Sequence, residues 1–152
     1  MNNVSSIARK NKVKGKCLCG LTSFQLGISN IRAYQCHCSL CRMQSGTSSN
    51  LGTIIPAEKF VWLSGTEHIK YWNKDTGFTS GFCNNCGSPV PNELRGTMCY
   101  WVPVGALEGE FQVEIIAHIC TDSKAVWDAI TDGPVQYAGV PDISEFIADL
   151  NA

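Results

Sequence analysis

The sequence predicts a mainly β protein: a single zinc-stapled domain of short antiparallel sheets over residues 13–152, with one short C-terminal helix. Three observations predict it. Short apolar runs of strand character recur along the chain, separated by Gly and Pro turns. Seven of the nine cysteines fall into tight groups, Cys17/Cys19, Cys36/Cys38/Cys41 and Cys83/Cys86. Helical spacing of apolar residues is confined to the last stretch of the chain. With 152 residues, 44% hydrophobic and 16% charged, the chain has the means to bury a core.

In order along the chain, residues 1–12 read as a mobile polar arm. Val13–Cys17 and Leu21–Ile28 read as a hairpin whose turn carries Gly15-x-Cys17-x-Cys19-Gly20, the glycines letting the backbone approach a metal. Ile31–Gln35 is a strand leading into Cys36-His37-Cys38-x-x-Cys41-Arg42, after which Ser39 is expected to cap one helical turn to Gln44. Leu51–Ile55, Phe60–Leu63, Ile69–Trp72 and Phe78–Phe82 are further strands, the last running into Cys83-x-x-Cys86-Gly87. Pro89 and Pro91 restrict the next segment to an edge or an irregular path. Met98–Val104 and Phe111–Cys120 complete the strands. In the latter, Phe111, Val113, Ile115, Ala117 and Ile119 share a face at period two, which puts His118 opposite with Gln112 and Glu114. Asp122–Asp128 reads as a turn with a helical beginning. Asp142-x-x-Glu145 opens the terminal helix, which presents Ile143, Phe146, Ile147 and Leu150 as a packing stripe.

Clustered cysteines in a chain without a secretory-type apolar leader point to metal rather than disulfides, and the odd count agrees. The seven thiols divide as four plus three. Cys17, Cys19, Cys83 and Cys86 make one closed tetrahedral site of structural type, and Cys36, Cys38 and Cys41 hold a second metal. Two zinc ions per chain follow. Candidates for a fourth ligand at the second site are His37, His68, His118, Cys99, Cys120 or a carboxylate. His37 sits between two ligands, where its ring reaches the same metal poorly, and Cys99 and Cys120 read as buried thiols. The leading reading is an open position, which makes the second site a reaction site. Zinc deprotonates a bound thiol outright, and a thiolate so held attacks an electrophilic carbon such as an aldehyde. The predicted chemistry is carbon–sulfur bond formation or cleavage without redox change.

Charge adds less. The net charge is −1, and no Asp or Glu precedes Glu58. The basic segment 9–16 reads as a solvated arm, while Arg42, beside the cysteine array, is placed to attract an anionic ligand. The arm is short and lacks interleaved aromatics, so nucleic acid is not an expected partner. No apolar run is long enough to span a membrane, and a cytoplasmic location is the default expectation.

The motifs Gly15-x-Cys17-x-Cys19-Gly20, Cys36-His37-Cys38-x-x-Cys41-Arg42, Phe82-Cys83-x-x-Cys86-Gly87-Ser88 and His118-Ile-x-x-x-Ser123-Lys124-Ala125-x-Trp127 span residues 13–130. In these the chain resembles the glutathione-dependent formaldehyde-activating enzyme family, also called the GFA/CENP-V family. The resemblance implies a β-tent-like fold, a structural zinc on Cys17, Cys19, Cys83 and Cys86, and a catalytic zinc on Cys36, Cys38 and Cys41. It also implies glutathione as the small thiol partner and condensation with formaldehyde to S-hydroxymethylglutathione, a carbon–sulfur lyase activity, with Arg42 attracting a glutathione carboxylate. Val126 stands where members often carry Pro, and Gly105-Ala-Leu-Glu108 replaces a Gly-Thr/Leu-Asp turn. Neither departure touches a cysteine. The competing readings are the same chemistry on another thiol or electrophile, and a non-catalytic binding module on a zinc scaffold.

Overall fold

The computed structural model describes residues 11–152, so the arm expected over 1–12 lies almost wholly outside the described residues. The strands are β1 (Val13–Lys16), β2 (Ser23–Leu26), β3 (Asn30–Cys36), β4 (Asn50–Pro56), β5 (Phe60–Ser64), β6 (Ile69–Asn73), β7 (Thr79–Cys83), β8 (Asn92–Glu93), β9 (Cys99–Pro103), β10 (Leu107–Glu108), β11 (Gln112–Ile119) and β12 (Val135–Gln136). The helices are α1 (Ser39–Ser45) and α2 (Ile143–Leu150). They assemble as a four-stranded sheet in the order β10-β1-β2-β5, a six-stranded sheet in the order β12-β11-β3-β4-β9-β8, and the hairpin β6-β7. The fold is mainly β, as expected. Each strand anticipated from apolar runs is present within a few residues of its expected bounds, whereas the two-residue strands β8, β10 and β12 leave too short a pattern to read.

Two apolar cores lie on opposite faces of β3, because its side chains alternate. Ile31 and Ala33 join Val13, Phe24, Leu26, Ile55 and Val102, packing the four-stranded sheet against the six-stranded one. Phe24 is completely buried, which contributes about 1.5–3 kcal/mol relative to exposure. Its ring occupies the place that a Cβ on Gly15, its cross-strand partner, would take. On the other face, Tyr34 and Cys36 join Ala117, Ile119, Phe146 and Leu150, so that α2 covers this second core. As expected, α2 is capped by Asp142, whose Oδ1 accepts from the Glu145 N–H at 3.0 Å. Ile143, at its solvent edge, is exposed.

Two expectations for β11 change. The strand pairs parallel with β3 and β12, although the other ladders are antiparallel. Its register on β3 also slips between Ile115 and Ala117, so that Ile115 faces Ala33 and Ala117 faces Tyr34. An extra residue in one strand reverses the alternation beyond it. Ala117 and Ile119 therefore enter the second core, and His118 turns to the side of Gln35 rather than that of Gln112 and Glu114. The bulge, invisible to a period-two reading, is what buries His118.

Candidate metal centres

The first centre is built by two tight turns. In the β1–β2 turn, the Gly20 N–H donates to the Cys17 carbonyl at 3.0 Å, and the Thr22 N–H to Cys17 Sγ at 3.3 Å. After β7, the Gly87 N–H donates to the Cys83 carbonyl at 2.8 Å. Gly20 and Gly87 both have positive φ (80° and 77°), which L side chains rarely adopt. The Leu18 N–H donates to Ser88 Oγ at 2.8 Å and binds one turn to the other. The four sulfurs of Cys17, Cys19, Cys83 and Cys86 lie within 4.8 Å of one another. Cys17–Cys19 and Cys19–Cys83 are 3.6 and 3.8 Å apart. Tetrahedral zinc with bonds near 2.3 Å separates its sulfurs by about 3.8 Å, so the donor set and spacing fit zinc.

The second centre lies where β3 runs into α1. Cys36, Cys38 and Cys41 bring their sulfurs within 4.8 Å of one another. Cys38, not Ser39, caps α1: its Sγ accepts from the Cys41 N–H at 3.3 Å. The correction has a plain cause, since a sulfur turned back toward the array already meets the free N–H groups of the first turn. The pKa of Cys38 is held well below the ordinary thiol range, because its sulfur accepts from the Cys36 and Cys41 thiols and then from backbone N–H groups. Cys36 is pushed the other way by donating to Cys38 and Cys41 and by burial. Such a proton-sharing set gives up its remaining protons to a soft cation.

Behind the array runs a buried polar chain. Asp128 Oδ2 lies 2.9 Å from His37 Nδ1, and His37 Nε2 lies 2.9 Å from His118 Nδ1. A carboxylate only accepts, so His37 Nδ1 donates to it. A neutral His37 then accepts at Nε2 from the N–H of His118. Burial, then the neighbouring His37, lowers the pKa of His118. Both histidines therefore serve as hydrogen-bonding supports of the array.

In front of the array is a cavity of about 330 Å³ whose wall is mostly apolar. Cys36, Cys38 and Cys41 all line it, and none of the first centre's cysteines, Cys17, Cys19, Cys83 and Cys86, does. Tyr34, Phe78, Leu94 and Trp101 form apolar wall, and Gln44, Asn92 and Arg95 supply polar groups. Asn92 Oδ1 is buried without a hydrogen-bond partner. A larger groove of about 480 Å³ by Arg32, Lys59 and Glu114 contains no thiol or imidazole, and so lacks the means for this chemistry.

Arg42 does not line the cavity. Its Nη2 donates to the Ser123 carbonyl at 3.4 Å, tying α1 to the turn after β11, and its Nε is buried without a partner. His68 pairs with Glu67 at 3.6 Å, and Cys99 packs on the edge of the second core. Cys120, which follows β11, lines the cavity, and its thiol neighbours that of Cys36. Asp128, bonded to His37, and Asn92 and Arg95, on the cavity wall, are residues that no sequence spacing marked. Asp128, one residue beyond the last motif, had the nearest signal.

A mainly β scaffold with two cysteine clusters able to hold metal ions, one of them opening on a cavity, defines a class of zinc-type cysteine-centred proteins. Residues 12–123 match the model of the family described as glutathione-dependent formaldehyde-activating enzyme, and the chain belongs to that family. Among solved structures it is similar to a Rhodobacter sphaeroides protein, a structural-genomics target. The identity there is 20%, over 82% of this chain and 98% of that one, with a TM-score of 0.53. At that identity the likeness is one of fold. Among the described residues no helix is long and apolar enough to cross a membrane.

Proposed function

We propose that the protein is a zinc-dependent carbon–sulfur lyase that joins a small thiol, glutathione in the first instance, to formaldehyde, and cleaves the product in reverse. Cys17, Cys19, Cys83 and Cys86 hold a structural zinc, and Cys36, Cys38 and Cys41 hold the catalytic one. The observation that carries this reading is the asymmetry of the centres: the three-cysteine set lines a cavity and the four-cysteine set does not. Zinc at the second centre supplies deprotonation of a bound thiol and its presentation as a thiolate.

The remaining work falls to the chain. Tyr34, Trp101 and Phe78 exclude water from the reacting sulfur. Arg95, on the cavity wall, is the cation available to a ligand carboxylate, whereas Arg42 stands off the wall and reaches the Ser123 carbonyl instead. Asn92 Oδ1 awaits a ligand N–H. Asp128 and His118 hold His37, and with it the two cysteines that flank it. Family membership supports the substrate pair. Acceleration of S-hydroxymethylglutathione formation by zinc-loaded protein, lost in Cys38→Ser, is the expected result. A rate no faster than the spontaneous reaction would exclude these substrates.

A second reading has its own observation. The mostly apolar wall is unlike the polar, twice-acidic body of glutathione and favours the same chemistry on a less polar thiol or aldehyde. A panel of thiols, each offered with formaldehyde, separates the two by kcat/KM.

A further inference from the structure

Cys120 is the one residue other than glycine with positive φ among the described residues, at 55°. Non-glycine residues in that region are strained and persist where the surroundings impose them. Here the surroundings do so: the Cys120 N–H donates to the Gly139 carbonyl at 3.0 Å, and its carbonyl accepts from the Ser123 N–H at 3.1 Å. The parallel register of β3 and β11 sets Ile119 beside Cys36, so Cys120 is the first residue past that pairing. Its left-handed turn leaves the buried thiol on the cavity wall, beside Cys36. A thiol that merely filled space there would not call for a strained backbone, which glycine would adopt freely.

We propose that Cys120 is a fourth, exchangeable thiolate for the metal held by Cys36, Cys38 and Cys41, closing the coordination set at rest and yielding its place to an incoming thiol. Its position accounts for exchange rather than permanent ligation. Three sulfurs form the group within 4.8 Å of one another, and Cys120, although it neighbours Cys36, is not one of them. In the exchange, the bond from the Cys120 sulfur to the metal breaks and the bond from the incoming sulfur forms. The proton of the incoming thiol passes to Cys120. The charge of the centre is unchanged, and no oxidant takes part. The apolar wall makes that neutrality useful, because a change of net charge there would be poorly solvated. This inference rests on the metal assignment proposed above but not on any substrate. Failure of the glutathione and formaldehyde assay would therefore leave it standing.

The test reads coordination, not turnover. X-ray absorption on full-length zinc-loaded protein, dialysed free of small thiols, is expected to show all-sulfur coordination averaged over both metals. In Cys120→Gly and Cys120→Ser a nitrogen or oxygen neighbour is expected to appear in that average. Glycine suits the local backbone and serine keeps the size, so at least one variant remains folded by circular dichroism. With cobalt in place of zinc, thiolate-to-metal absorption is expected to fall by about one eighth in either variant, as eight sulfur ligands become seven. Adding 2-mercaptoethanol is expected to restore it in the variants and leave the wild type unchanged. A light-atom neighbour in the resting wild type would overturn the proposal. So would all-sulfur coordination that survives loss of Cys120, or a wild-type cobalt spectrum that rises with added thiol as the variants do.

Discussion

His37 Nε2 and His118 Nδ1 lie 2.9 Å apart, although 81 residues separate them in the chain. Both rings are buried, and with the Asp128 carboxylate they form a continuous line beneath the cysteine array. The His37 N–H also donates to the Ile119 carbonyl at 3.0 Å, so backbone and side chain both bind the array to the end of β11. The contact thus ties the segment between Cys36 and Cys38 to the end of β11.

The pair makes stability pH-dependent in a definite direction. Burial lowers the pKa of His118 in the folded protein, whereas the unfolded chain binds a proton near the ordinary value of about 6.5. Below that pH the unfolded state holds more protons, so stability falls as pH drops from about 6.5 toward the folded value. His118→Asn is expected to flatten this part of the profile relative to wild type. Urea unfolding of the metal-loaded proteins between pH 5 and 8, with the difference taken at each pH, measures it. Parallel profiles would count against the assignment.

Removing Asp128 tests the far end of the same line. Asp128→Ala leaves the His37 Nδ1–H buried without its acceptor, at an expected cost of about 1–3 kcal/mol. Asp128→Asn, which keeps an acceptor oxygen, is expected to recover most of it. Chemical denaturation at neutral pH decides between a recovery and equal losses, the latter meaning that the carboxylate only fills space.

The two cysteine centres are expected to respond differently to loss of a ligand. Cys83→Ser should abolish folding, because a structural zinc contributes on the order of 10–16 kcal/mol in small domains. Cys38→Ser should retain the β-rich circular dichroism spectrum and lose one zinc. Metal analysis beside the spectra is sufficient. Unfolding of Cys38→Ser would reverse the assignment of the two centres.

Gly52 gives a test of the cavity that touches no ligand. It lies on β4, and a Cβ there would run into the Trp101 indole, which lines the cavity. Gly52→Ala is therefore expected to displace Trp101, raise KM for the thiol and leave the zinc content at the wild-type value. Unchanged KM together with unchanged tryptophan fluorescence would mean that the indole is not held against this glycine.

Asn92 is the polar group best placed to meet a ligand, since its Oδ1 is buried and unpartnered while its Nδ2 donates to the Glu93 carbonyl. Loss of one ligand hydrogen bond in Asn92→Ala is worth about 1.4 kcal/mol, or roughly tenfold in KM. A fall confined to kcat would assign it another role.

What was legible in the sequence follows from what is local in it. Ligand spacing, the flanking Gly20 and Gly87, the β1–β2 hairpin and the Asp142 cap each lie within a few residues, so pattern and chemistry appear together. The family resemblance rested on the same local motifs and agrees with the family match. The bulge between Ile115 and Ala117 was not legible, because an apolar alternation continues through it on paper while the strand turns over in space. Nor was the approach of Asp128 to His37 or of Asn92 to the cavity, and Cys120, weighed as a fourth ligand, read instead as a buried thiol. Such approaches depend on pairing across long separations, for which no residue type is diagnostic.

Parallel pairing of β3 with β11 has a consequence in time. All four cysteines of the first centre lie at or before residue 86, whereas β11 begins at Gln112. As the chain emerges from synthesis, the first centre is complete while the second still lacks its neighbouring strand and the histidine beneath it. Early metal uptake at residues 17–86 would then prepare the scaffold. The cavity beside the second centre would close last, around a cysteine array that has until then been open to solvent.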